Sequence, residues 1–183
     1  MNIASGNDFI LRTFQYGDEA SLALAANDER VAANLRDVFP NPYTLDNAKE
    51  WVNFQVKTNG QQLTSFAIIV NDKVAGGIAI VPQDDVAQIS AEIGYWLGVD
   101  YWGRGIATEA VGLMATYAFE HFPTIHRLFA KVYSRNVASM RVLEKVGFVL
   151  EGIHRESVQK NDVILDEHHY ALLKRNFSWR ANT

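Results

Sequence analysis

The stretch from Glu92 to Glu109 constrains the fold more than any other part of the chain. Glu92-Ile93-Gly94-Tyr95-Trp96-Leu97-Gly98-Val99 has the β-branched and aromatic texture of a strand. Asp100-Tyr101-Trp102-Gly103-Arg104-Gly105 is a glycine-bearing turn, and Ile106 begins a run at helical spacing. In that run Ala107, Ala110, Val111, Met114, Ala115 and Ala118 form a stripe too broad for one exposed face. The spacing therefore predicts a largely buried helix over 105–122, stopped by Pro123. Such a turn lets consecutive backbone N–H groups converge at a helix N-terminus, where unsatisfied donors and the positive end of the dipole favour a phosphate or pyrophosphate.

The flanking sequence places this unit in an α+β chain. Phe9 to Phe14 reads as a strand, Gly17-Asp18 resets the pattern with Asp18 as N-cap, and Ala20 to Ala26 reads as a helix. Asp28 to Leu35 is a second short amphipathic piece, and Phe39-Pro40-Asn41-Pro42-Tyr43 is a rigid aromatic loop, because proline fixes φ and biases its predecessor away from helix. Thr44-Leu45-Asp46-Asn47 opens a helix that Asn59-Gly60 is expected to end. Phe66–Val70, Val74–Val81 and Ala87–Val99, parted by Asn71-Asp72-Lys73 and Gln83-Asp84-Asp85, predict an antiparallel meander. Leu128–Ser134 is a strand, Ala138–Val146 a helix closed by Gly147, and Phe148–Leu150 and His168–Leu173 are the last strands. Without a repeat or linker, residues 1–183 read as a single domain.

Composition removes several functions. With no cysteine there is no disulfide, thiolate-held metal or thiol nucleophile. Seventeen Lys+Arg against 21 Asp+Glu, with no basic block, argue against direct nucleic-acid binding. The longest apolar stretch, Val74–Val81, is too short to span a bilayer, and a polar start without a signal core leads us to expect a cytoplasmic protein that does not engage membranes. The histidines (His121, His126, His154, His168, His169) are scattered along the chain, and adjacent His168 and His169 point to opposite faces of a strand, so no metal site is expected.

Spacing separates three anion-loop patterns. A Walker A loop needs Gly-Lys-Ser/Thr, which is absent. A dinucleotide fingerprint starting at Gly103 and Gly105 meets Thr108 at its third glycine, and the flanking strands read as antiparallel. The third pattern fits better: Gly103-Arg104-Gly105-Ile106-Ala107 resembles the pyrophosphate loop of the GNAT N-acetyltransferase superfamily, Gln/Arg-x-x-Gly-x-Gly/Ala. Gly105 and Ala107 match, while Trp102 stands where Gln or Arg is usual. Downstream, Asn136-Val137-Ala138-Ser139-Met140-Arg141-Val142-Leu143-Glu144-Lys145-Val146-Gly147-Phe148 is similar to the N-x-x-S-x-x-V-L-E-K-x-G-F signature of the RimJ/RimL-like branch, the ribosomal-protein-alanine acetyltransferase type. Leu11-Arg12 through Asp18, Asn27-Asp28, Pro42-Tyr43-Thr44 and Trp51 follow the same branch, so the resemblance runs from residue 8 to 175.

The resemblance implies a central mixed, mostly antiparallel sheet flanked by helices and splayed between two strands, with acetyl-coenzyme A in the gap. Tyr95, Trp96 and Leu97 would offer backbone groups to the pantetheine arm, and Trp102, Gly103, Arg104, Gly105, Ile106, Ala107 and Thr108 would hold the pyrophosphate. Asn136 would touch the pantetheine region, and it is equally an N-cap for the helix that follows. Arg104 and Lys145 are candidates for the cofactor phosphates, the plain alternative being solvated cations.

The implied reaction is direct attack of a primary amine on the thioester. An α-amine with pKa about 8 gives up its proton more readily than a lysine at about 10.4. A carboxylate beside the gap, acting directly or through water, would be the base. Glu92 is the candidate, since alternation puts Glu92, Gly94 and Trp96 on one face and Ile93, Tyr95 and Leu97 on the other; a solvated carboxylate is the alternative. The tyrosine that many superfamily members use as general acid corresponds to Leu143 here. Ser139 is the substitute the branch suggests, with a capping role as its alternative. Arg36, Phe39 and Tyr43 are the candidates for the acceptor pocket, against plain surface packing. The acceptor would be a protein N-terminus or a small amine, and loss of the tyrosine leaves open an acetyl-coenzyme A sensor. The chain is expected to be a monomer or homodimer.

Overall fold

Two tight turns of the same chemistry outline the sheet. Asn71-Asp72 and Asn161-Asp162 hold positive φ at both central residues (48° and 61°, 52° and 59°), the backbone of a two-residue hairpin, which Asn and Asp tolerate best after glycine. The computed structural model describes residues 2–58 and 64–179. In order, these form β1 (Asn2–Ser5), β2 (Ile10–Arg12), α1 (Glu19–Ala26), α2 (Glu29–Ala32), α3 (Leu45–Thr58), β3 (Ser65–Val70), β4 (Lys73–Pro82), β5 (Ser90–Leu97), α4 (Ile106–His121), β6 (Arg127–Tyr133), α5 (Val137–Val146), β7 (Val149–Lys160) and β8 (Val163–Leu173). The sheet order is β1-β2-β3-β4-β5-β6-β8-β7, antiparallel throughout except for β5 beside β6. The expected meander is present as β3, β4 and β5.

Each face of the sheet has its own core. On one, α4 and α5 bury Met114, Ala115, Met140 and Leu143 against Ile68, Ile78, Ile93, Leu128 and Leu172. On the other, Leu22 of α1 and Ala48 and Val52 of α3 pack on Ala67, Ile69 and Val74. Alternation along β5 divides it as predicted: Ala91, Ile93 and Leu97 enter the first core, and Trp96 packs on the second.

Several local expectations change. Strand β1 was not anticipated, because its Asn-Ile-Ala-Ser sequence gains strand character only by pairing with β2. Strand β2 is shorter than the expected 9–14. Strands β7 and β8 extend far beyond Phe148–Leu150 and His168–Leu173; in their outer parts apolar residues such as Val163 and Ile164 are exposed like the polar ones, so no alternation marks them. The expected helix end at Asn59-Gly60 lies outside the described residues. Thr44 and Asn47 do open α3 with a reciprocal cap: Asn47 N–H donates to Thr44 Oγ1 at 3.2 Å, and Thr44 N–H to Asn47 Oδ1 at 2.9 Å. Among the described residues no helix is long and apolar enough to cross a membrane.

Asp18 does not cap α1 with its side chain. Its carboxylate turns back to a bidentate pair with Arg12, at 2.8 and 2.7 Å, and takes the Gln15 N–H at 3.0 Å. Both side chains are nearly buried, at 10% and 6% exposed, so removing either charge strands the other in the interior. Asp18→Asn should lose about 3–5 kcal/mol of unfolding free energy in urea titrations. A loss under about 1 kcal/mol, the size of an exposed pair, would show that water reaches the charges.

Candidate active site

Strands β5 and β6 separate after three bridges: Ser90, Ala91 and Glu92 pair with Arg127, Leu128 and Phe129. Beyond that point β5 pairs with β4 and β6 with β8. The ladder phase tells which backbone groups face the gap. Gly98 N–H donates to Ala75 O at 2.8 Å and Gln83 N–H to Ser90 O at 2.9 Å. Hydrogen-bonded pairs alternate in an antiparallel ladder, so Glu92, Gly94 and Trp96 turn their amides and carbonyls to β4. Ile93, Tyr95 and Leu97 turn theirs to the gap. Counted from Ser134 N–H to Asp166 O and Lys174 N–H to His126 O, both 2.9 Å, Lys131 and Tyr133 look back from β6.

Some of these groups are already occupied. Leu97 O accepts the Trp102 indole N–H, and Tyr133 O the Asn136 N–H, each at 2.8 Å. The main-chain groups of Tyr95 and Lys131 have no partner among the described residues. Unpaired strand groups facing each other across a slot suit an extended ligand that carries amides of its own. Of the three strand residues expected there, Tyr95 and Leu97 present backbone to the gap. Trp96 sends its backbone to β4 and lays its indole over Gly77, where an added Cβ would sit 3.0 Å from the indole nitrogen.

At the mouth of the gap, Gly103 (φ 74°) and Gly105 (φ 79°) are both left-handed, with nothing within 4 Å of an added Cβ. The glycines are there for backbone conformation and not for room. Helix α4 has no side-chain cap: Glu109 N–H reaches Gly105 O at 3.1 Å, and the amides of Ile106, Ala107 and Thr108 have no acceptor among the described residues. Ile106 is buried and fixes the turn, while Arg104 lies exposed, 3.9 Å from Asp8 and 6.0 Å above the Tyr101 ring centroid. Free amides, a helix dipole and one guanidinium fit a pyrophosphate. The Trp102 indole, in the place of the usual Gln or Arg, ties this turn to the end of β5. Lys145 is exposed near the end of α5.

Asn136 caps α5, its Oδ1 accepting the Ser139 N–H at 3.2 Å. The Ser139 hydroxyl takes no capping role. It lies 2.8 Å from the Tyr95 hydroxyl, which also reaches Ser139 O at 3.2 Å. Leu143, at the tyrosine position, is completely buried.

Glu92, half-buried, stands on the opposite face at the last bridge before the strands part. On that face Phe39 packs on Tyr43 and Trp96, with ring centroids 5.0 and 5.5 Å apart. The 33–39 loop spans the gap: Arg135 donates to Ala33 O, and buried Lys160 binds Asp37 at 2.6 Å. Burial, then the charges of Glu167 and Asp37, push the Tyr133 hydroxyl up, while Arg36 and Arg135 oppose them, so exposed Arg36 belongs to the β6 side. Nothing in the local sequence signalled these tethers.

The histidines are less scattered than expected. Pairing of β7 with β8 sets His154 opposite Glu167, and His154 stacks on His169 with centroids 3.8 Å apart. Their ligand atoms and that of Glu167 lie within 4.8 Å of one another. His169 Nε2 is held by Glu167 at 2.8 Å, and stacked rings send their in-plane lone pairs side by side, so we assign no metal.

Two outcomes follow from this geometry. Gly105→Val should weaken coenzyme A binding about tenfold in calorimetry, since a β-branched residue at φ 79° is strained and the turn must reorganise; unaltered affinity would contradict the anion turn. Burial pushes the Tyr43 hydroxyl up to about 12 and raises that of Tyr95 as well. Unfolded tyrosines titrate near 10, so above about pH 10 the folded state keeps protons the unfolded chain has lost, and stability falls as pH rises towards the folded values. Urea midpoints should hold level to about pH 9 and then decline, less steeply in Tyr43→Phe; an equal decline in that variant would remove Tyr43 as a cause.

Comparison with known proteins gives the same reading. The acetyltransferase (GNAT) domain family matches residues 8–149. The probable N-acetyltransferase YjcK of Bacillus subtilis is 37% identical over 134 residues, 72% of this chain and 74% of that protein. The putative ribosomal N-acetyltransferase YdaF of the same organism is 31% identical over 142 residues, 75% of each chain. The structure of RimL, a ribosomal L7/L12 alpha-N-protein acetyltransferase in complex with coenzyme A, superposes with a TM-score of 0.79 at 21% identity, covering 94% of this chain and 98% of that one, a likeness of fold. Motif, splayed sheet and relatives agree: the chain belongs to the GNAT family, in its RimJ/RimL-like branch, and is an acetyl-coenzyme A-dependent N-acetyltransferase.

Proposed function

We propose that the acceptor is the α-amino group of a protein N-terminus, of the ribosomal-protein class, and that Glu92 is its base. The observation that carries this is the position of Glu92: a half-buried carboxylate at the apex of the gap, on the face away from α4 and α5, the face that also carries Phe39, Tyr43 and Trp96. Its side chain has no hydrogen-bond partner among the described residues, leaving it free for an ammonium or a bridging water. The cofactor lies along the gap edge, with Tyr95 pairing to the pantetheine arm and the Trp102–Thr108 turn on the pyrophosphate. The acceptor enters from the other face, past Arg36, Phe39 and Tyr43.

In the reaction Glu92 removes one proton from the ammonium, directly or through water. The amine then attacks the thioester carbonyl, the N–C bond forms, the C–S bond breaks with sulfur leaving as thiolate, and the second proton on the acylated nitrogen passes to water. An α-amine with pKa about 8 asks little of the base. The relation to YdaF, named as a ribosomal N-acetyltransferase, supports a protein acceptor.

A thiol-release assay with acetyl-coenzyme A tests the acceptor. N-terminal peptides should turn over well ahead of polyamines and aminoglycosides, and a reversed order would overturn the protein assignment. Glu92→Gln should lower kcat roughly 100-fold on the best peptide and leave coenzyme A affinity within twofold. An unchanged rate across the pH range would remove Glu92 from the chemistry.

A further inference from the structure

The residue whose backbone faces the cofactor gap also reaches across it. Tyr95 turns its free amide and carbonyl to the slot, and its side chain, on the α4 and α5 side, places its hydroxyl 2.8 Å from Ser139 Oγ in the first turn of α5. It is a polar link from the open edge of β5 to α5, where the completely buried Leu143 stands at the position that the family resemblance gives to a tyrosine.

We infer that Tyr95 is a positioning residue for the leaving sulfur: its hydroxyl donates to Ser139 Oγ and turns the Ser139 proton toward the thiolate that forms when the C–S bond breaks. This rests on the direct-transfer reading above. A serine hydroxyl has one proton and two lone pairs. When Tyr95 fills one lone pair, the Ser139 proton is released from pairing with Tyr95 and can meet an anion on the gap side. When Tyr95 donates to Ser139 O instead, at 3.2 Å, the Ser139 proton can return to the tyrosine oxygen. The developing negative sulfur selects the first arrangement, because a donor aimed at growing charge gains strength as the charge grows.

Tyr95 keeps its own proton throughout. Burial raises its hydroxyl, while a thiol titrates near 8.5, so the pair stabilises thiolate by hydrogen bonding and does not transfer a net proton. The sulfur is protonated afterwards from solvent; of the two protons lost by the ammonium, the first goes to Glu92 and the second, shed after the N–C bond forms, to water.

Coenzyme A bound to the full chain supplies a test that needs no acceptor. The thiol of the bound cofactor, followed by thiolate ultraviolet absorbance, should titrate about one pH unit lower in wild type than in Tyr95→Phe, a tenfold change in the thiolate ratio. Ser139→Ala should show the same rise as Tyr95→Phe, and the double variant no further rise. On the best amine, Tyr95→Phe should lower kcat about tenfold with KM for acetyl-coenzyme A within twofold. Equal midpoints in wild type and Tyr95→Phe, or a full Tyr95→Phe effect in the Ser139→Ala background, would overturn the inference. Failure of the peptide acceptor appears in the amine panel and leaves this titration untouched.

Discussion

The parallel pairing of β5 with β6, only three residues long, is the constraint on which the rest of the molecule depends. An unpaired strand edge inside a folded chain leaves amides and carbonyls without partners, which costs free energy unless water or a ligand meets them. Here each strand stays paired on its outer side, β5 to β4 and β6 to β8, so the slot between them is held open by two rigid half-sheets. The unused groups of Tyr95 and Lys131 are thus kept open to the slot.

That slot separates two chemistries. Along α4 and α5 the chain offers free amides, a helix dipole and a hydroxyl pair, all suited to an anionic thioester and its leaving sulfur. On the opposite face stand a carboxylate and three aromatic rings, suited to an amine. Alternation along a single strand does the sorting, since Tyr95 and Trp96 are neighbours in sequence and work on opposite sides. The 33–39 loop bridges the amine face through Arg135 and Lys160, so the two half-sheets are tied above the gap as well as below it.

Much of this was legible in the residues. The Gly103-Arg104-Gly105 turn, the buried stripe of α4, the Asn136 cap and the two faces of β5 all follow from contacts within a few residues, where period and turn chemistry act directly. Features made by distant residues were not legible. Asp18 sits where a cap belongs, yet Arg12 six positions earlier captures its carboxylate in the interior. Ser139 reads as a capping partner in its helix, and its hydroxyl is taken by a tyrosine 44 positions away. The outer halves of β7 and β8 gave no alternation, because exposure there does not follow side-chain type: Val163 and Ile164 are exposed while Lys160 is buried. His154 and His169 came together only through that hairpin's register.

By itself the sequence determined the family, the glycine turn that opens α4 and the face each β5 side chain takes, because local backbone preference and periodicity act over a few residues. Only the tertiary structure decided where the parallel pairing ends, that the backbone of Tyr95 and not of Trp96 lines the gap, and which hydroxyl meets Ser139. Those depend on ladder phase and on helix placement against the sheet, and neither is written in any one segment of the chain.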